Sequence, residues 1–87
     1  MRQNVEFSNK SLAAFTARDR AMLKLRYGSL PLSDEELARV APECRGEAAV
    51  VRQRTLEEVA QLFGITRERV RQINKRSLGR LGIIQQS

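Results

Sequence analysis

The sequence predicts an all-α fold, a small multi-helix domain with a C-terminal helix-turn-helix. Three observations predict it. Hydroxyl residues stand three positions ahead of an acid at Thr16/Asp19, Ser33/Glu36 and Thr55/Glu58, and each pair leads into apolar residues at helical spacing. No stretch alternates apolar and polar residues as a half-buried strand does. Two helical patterns, 56–63 and 67–81, are separated by a three-residue turn that contains Gly64.

Taken in order, residues 5–15 predict a short helix or an ordered arm. The Thr16 cap opens a helix over 17–27, for which Gly28 is a natural C-terminal stop. Pro31 precedes the Ser33 capping box, and Leu37 and Val40 give a short apolar stripe over 34–40 that Pro42 and Gly46 punctuate. Residues 47–53 predict a further short helical turn. In 56–63, Leu56, Val59, Ala60 and Phe63 fall at i, i+3, i+4 and i+7 and make one apolar face. Ala60 suits a close helix–helix approach, Gly64 suits a turn with positive φ, and Ile65 is expected to cover the corner. Thr66 is the cap of the last helix, whose inner face is Val70, Ile73, Ser77, Leu78 and Leu81.

Eighty-seven residues bound the chain to one domain, 1–87. The net charge is +6 and is unevenly placed. Residues 66–82 hold Arg67, Arg69, Arg71, Lys75, Arg76 and Arg80 against Glu68 alone, a net of +5, which leaves +1 for everything before them. A concentrated basic segment points to an anionic partner. Cys44 is the only cysteine and there is no histidine, which excludes an internal disulfide, a Cys/His zinc site and the usual serine-hydrolase triad. There is no Gly-rich phosphate loop. An enzyme, a cofactor, a metal and a small-molecule ligand are therefore not expected. No apolar run has the length of a signal peptide core or a membrane span, so no membrane partner is expected and the expected location is the cytoplasm.

With Val70 and Ile73 turned inward, Arg67, Glu68, Arg71 and Gln72 fall on one outer patch at the start of the last helix. That half of a recognition helix enters the major groove. The side-chain types suit base edges: Arg pairs with guanine O6 and N7, Gln with adenine N6 and N7, and Glu accepts from cytosine N4. Glu68 would lower affinity in a strip that only binds phosphate. It either reads a cytosine or orients a neighbouring arginine. The competing reading is a solvated face laced with weak i,i+4 pairs, which explains the charge asymmetry poorly. Lys75, Arg76 and Arg80, further along the helix, and Thr66 are candidates for phosphate contact. Arg69 is expected to face backbone or solvent, and Gly79 and Gly82 weaken the end of the helix.

"TLEEVAQLFGITRERVRQI" (55–73) resembles the C-terminal DNA-binding segment, region 4, of housekeeping-type bacterial sigma factors. "FTARDRAMLKLRYG" (15–28) resembles the family block that precedes it. The resemblance implies a domain that recognises the −35 promoter element through its second motif helix and docks on the β-subunit flap of RNA polymerase. It implies base reading by Arg67, Glu68, Arg71 and Gln72, the patch already derived from helical geometry. It also implies phosphate contacts at Arg18, Arg26, Thr55, Leu56, Glu57 and Thr66, those of Leu56 and Glu57 through backbone amides. The flap groove lies between the helices of the two blocks, and the resemblance assigns it no residues here.

Three features depart from the family pattern. The connector, 29–54, is 26 residues where the family has a short one, and it can cover the flap groove, extend it or bind another partner. Asn74 replaces the usual acid, and Gly79 and Gly82 interrupt the basic continuation. The chain has no room for the domains that bind the −10 element and melt DNA, so an isolated domain or a small free-standing relative, of bacterial or phage origin, is expected. The alternatives to a promoter reader are a dimeric helix-turn-helix repressor or activator, with Val40, Ala48, Ala49, Val50 and Val51 as the dimer surface, and an appropriator that occupies polymerase without reading DNA.

Overall fold

A computed structural model of the chain describes residues 12–28 and 30–82, and those residues form helices and connecting turns with no strand among them. The predicted 5–15 arm falls mostly outside the described residues. The first described helix, α1, is Ala17–Tyr27. The Thr16 hydroxyl accepts the amide of Asp19 at 3.2 Å and closes its N-terminus. Gly28, at φ 65°, ends it by returning its own N–H to the carbonyl of Lys24 at 2.8 Å.

The connector is folded, not looped out. Its first helix, α2, is Asp34–Leu37, and Ser33 and Glu36 form a reciprocal capping box. The predicted span of 34–40 stops early because Arg39 and Val40 turn back on the carbonyls of Glu36 and Leu37, both at 3.0 Å. Ala41 then donates to the carbonyl of Leu62 at 3.0 Å and ties the connector to the motif. A 3₁₀ turn, Pro42–Cys44, runs into α3, Arg45–Ala48. Pro42 opens that turn where its missing N–H is not needed. The helical turn predicted over 47–53 is therefore displaced towards the N-terminus, and the chain beyond Val50 is irregular. Arg54 explains the change. Its guanidinium donates to the carbonyls of Glu47 at 2.7 Å, Val50 at 2.9 Å and Arg52 at 3.1 Å, so the chain folds around a side chain instead of continuing a helical ladder.

The motif helices are α4, Leu56–Phe63, and α5, Arg67–Arg80. Gly64, at φ 68°, lets its own N–H reach Gln61 and that of Ile65 reach Ala60, a paired closure of the α4 C-terminus. These backbone bonds hold the corner. Ile65, expected to cover it, is exposed.

Helix α1 packs against α2, α4 and α5. On one side, Met22 and Leu25 meet Val59, Ala60, Leu62, Val70 and Ile73, and the connector adds Val40 and Ala48 to the same cluster. On the other, Leu23 joins Leu12, Phe15 and Leu78. Val40 and Ala48, considered for a dimer surface, are thus core residues at 1% exposure, while Ala49, Val50 and Val51 stay exposed. Leu62 takes a buried place that the one-face pattern gave to Leu56 and Phe63, both only half-buried. A buried carboxylate fixes α2 onto α1. Glu36 receives Lys24 Nζ at 2.8 Å, Arg20 Nε at 2.8 Å and the Ser33 amide at 2.9 Å.

Candidate nucleic-acid interface

The interface is set by how α5 is seated. Val70, Ile73, Ser77 and Leu78 are buried at 2% exposure or less, which fixes the rotation of the helix about its axis. Asn74 shares the inner side and donates from Nδ2 to the Tyr27 hydroxyl at 3.2 Å, linking α5 to the end of α1. The Thr66 hydroxyl accepts the Arg69 amide at 3.1 Å and starts the helix cleanly. Arg67, Glu68, Arg71 and Gln72 are consequently all exposed on the first turn and a half, as the sequence predicted.

This quartet is internally ordered. Arg71 donates from two guanidinium nitrogens to both oxygens of Glu68, at 2.9 and 2.6 Å, and Gln72 Nε2 reaches the same carboxylate at 3.4 Å. The hydrogen bonds and charge of Arg71 hold the Glu68 carboxyl below its ordinary range, and Glu68 raises Arg71 in turn. Of the two roles the sequence left open for Glu68, the free protein has it orienting Arg71. Arg67, Arg69, Lys75 and Arg76 form no ion pair with another described residue, so their charges are available. Arg80 is exposed with its guanidinium 4.6 Å from the Phe15 ring centroid.

A second part lies beside the quartet. An open cleft of about 600 Å³ brings together Arg26 from the last turn of α1, Arg54 from the connector, Thr55, Leu56 and Glu57 at the start of α4, and Arg67 of α5. Thr55 and Glu58 form a capping box there, at 3.1 and 2.9 Å. The box uses the amides of Thr55 and Glu58. Those of Leu56 and Glu57, in the first turn, have no acceptor within the helix, and free amides at a helix start suit an anion. Arg26 is half-buried. One of its terminal nitrogens donates to the Arg54 carbonyl at 2.9 Å, its guanidinium stands 5.3 Å from the Tyr27 ring centroid, and its Nε is buried without a hydrogen-bond partner. Four of the residues expected to contact phosphate, Arg26, Thr55, Leu56 and Glu57, therefore share one cleft with Arg67, which is expected to read a base. Arg18 does not join them. It lies in a separate depression with Thr16, Ala17 and Arg39, and pairs with Asp19 at 3.3 Å.

Sequence reasoning missed the buried roles of Arg54, Asn74 and Glu36. Asn74 was in reach, since it stands four residues after Val70 on the inner face. The burial of Arg54 and Glu36 depends on where the connector folds, and no local pattern marks it.

Among the described residues, no helix is long and apolar enough to cross a membrane. The family model for sigma-70, region 4, matches residues 11–81. The RNA polymerase sigma factor SigA of a Nostoc species is 36% identical over 81 residues, covering 93% of this chain and 15% of the relative. SigA1 of Synechococcus elongatus is 39% identical over 70 residues, covering 80% and 13%. SigA of a Bacillus species is 39% identical over 70 residues, covering 80% and 14%. The chain thus spans about a seventh of the length of these curated relatives. No solved structure matches it significantly. With the motif helices, the exposed quartet and the cleft beside it, this match shows that the chain belongs to the sigma-70 region 4 family of DNA-binding transcription domains.

Proposed function

We propose that the domain reads a −35-like promoter element with α5 in the major groove and docks on the β flap of RNA polymerase. One observation carries the DNA half: four exposed polar side chains at the start of a helix whose opposite side is locked into the core. Arg67, Glu68, Arg71 and Gln72 meet base edges. Arg26, Thr55, the Leu56 and Glu57 amides, Thr66, Arg18, Lys75, Arg76 and Arg80 take backbone phosphates. The polymerase half rests on kinship alone, since the relatives are named RNA polymerase sigma factors.

The decisive experiment is a selection of bound sequences from a random duplex pool, with and without polymerase. An asymmetric site resembling TTGACA is expected. Arg71→Ala should weaken binding to the selected site by roughly 1–3 kcal/mol and relax preference at one base pair. Unchanged preference after that substitution would refute base reading by this quartet. For the polymerase half, an immobilised flap fragment should retain the domain, and failure to do so removes that part of the proposal.

A further inference from the structure

The connector brings to the surface one cation that no described residue pairs with. Arg39 is exposed, and it forms no ion pair and donates no side-chain hydrogen bond to another described residue. The other connector arginines are engaged. Arg45 holds the carbonyls of Val40 and Ala38, Arg52 pairs with Glu47 and Glu58, and Arg54 is buried. Arg39 shares a depression with Thr16, Ala17 and Arg18 at the start of α1. The acid of α1 and two of the three acids of α2 are paired with other cations: Asp19 with Arg18, Glu35 with Arg20, and Glu36 with Arg20 and Lys24.

The placement follows from the fold. The Glu36 carboxylate clamps α2 to Arg20 and Lys24 of α1, and the chain turns immediately after α2, with the Arg39 amide on the Glu36 carbonyl at 3.0 Å. That turn sets Arg39 beside Arg18, 21 positions away in sequence. Among the described residues, the guanidinium groups of Arg18 and Arg39 stand there against the carboxylate of Asp19, a net positive charge. All other described cations without an ion pair, a carbonyl acceptor or an aromatic ring beneath them lie on α5, the helix proposed to meet DNA.

We infer that the long connector extends the DNA-binding surface, with Arg39 contacting a backbone phosphate of the same duplex next to the one taken by Arg18. This rests on the DNA reading proposed above. It gives the connector a role in affinity, without sequence preference, because a phosphate contact carries none.

The test is a salt titration of the full chain on two labelled duplexes, one carrying the selected site and one of random sequence. Arg39→Ala should lower affinity for both duplexes by a similar factor, roughly 3- to 10-fold at low salt. It should also make the slope of log K against log salt shallower by about one contact. Arg39→Lys should restore most of the slope. The Arg39 side chain makes no hydrogen bond or ion pair with another described residue, so the helical circular dichroism of both variants should match wild type. If wild type binds DNA and Arg39→Ala has the same slope and affinity, the connector contact is wrong while the α5 reading stands. If Arg39→Ala binds DNA normally but loses polymerase, the residue meets a protein and the inference is overturned. A wild-type chain that binds neither duplex overturns both.

Discussion

At Gly28 and Gly64 the backbone is left-handed to nearly the same degree, with φ of 65° and 68°, but the surroundings differ. A Cβ at Gly64 would meet nothing within 4 Å, whereas one at Gly28 would lie 2.5 Å from the backbone of Arg52 and Gln53. Gly64→Ala should therefore cost only the conformational term, about 1–2 kcal/mol. Gly28→Ala should cost clearly more, since the connector backbone must move and strain the bond from the Arg54 amide to the Arg26 carbonyl. Urea denaturation of the two variants measures the difference, and equal losses would show that the connector yields freely. Arg54 makes a sharper case. At 2% exposure it serves three carbonyls, so Arg54→Met should destabilise by roughly 2–4 kcal/mol by leaving buried acceptors unpaired. Denaturation also reads this, and a loss within experimental scatter would mean that the carbonyls find water. The sequence announced the glycines, because a stop after a helical run has a local signature. It hid Arg54, because an arginine reads as surface until the chain is seen to wrap it.

Helix α2 shows how a four-residue element is held when Leu37 is its one apolar side chain on the core. Its capping box supplies the start and Glu36 supplies the anchor. Burial alone would raise the Glu36 carboxyl, but the hydrogen bonds from Lys24, the Ser33 amide and Arg20 outweigh it and hold it below the ordinary carboxylate range. A carboxyl depressed in the folded state contributes stability that is complete above its unfolded value, about 4.3, and is lost as pH falls through the lower folded value. Unfolding free energy should thus decline on acidification below about pH 4, and Glu36→Gln should flatten that decline. The variant should also be less stable at neutral pH, because Lys24 remains buried without its counter-charge. An acid limb of unchanged steepness in Glu36→Gln would assign the loss to other carboxyls. The starts of α1, α2, α4 and α5 were legible from Thr16, Ser33, Thr55 and Thr66, since a capping hydroxyl acts within three residues. The end of α2 and the position of α3 were not, because the bonds that set them reach across the fold, from Ala41 to Leu62 and from Arg54 to Glu47.

Across the whole molecule, charge is divided by element. Most cations of α1 and the connector are consumed in ion pairs and carbonyl clamps, while most of those on α5 stay open to a partner. The sequence showed that asymmetry and the exposed quartet, because both follow from one helix and its periodicity. It did not show which apolar residues of the connector face inward, a matter of packing against helices far away in the chain. That distinction bears on the oligomeric state. The connector commits Leu32, Leu37, Val40 and Ala48 to the core cluster, and the large apolar side chains left exposed among the described residues are Val50, Val51 and Ile65. A stable interface covers about 800 Å² on each partner around a well-packed centre, far more than two half-exposed valines and one isoleucine supply. The protein should therefore sediment as a monomer at micromolar concentration, and Val50→Lys with Val51→Lys should leave its sedimentation unchanged. On DNA the same geometry calls for one copy on a non-palindromic site, because a dimer would require two half-sites about one helical turn apart. A dimer in solution that the two lysines dissolve, together with selected sites that are palindromic, would instead identify a self-standing regulator.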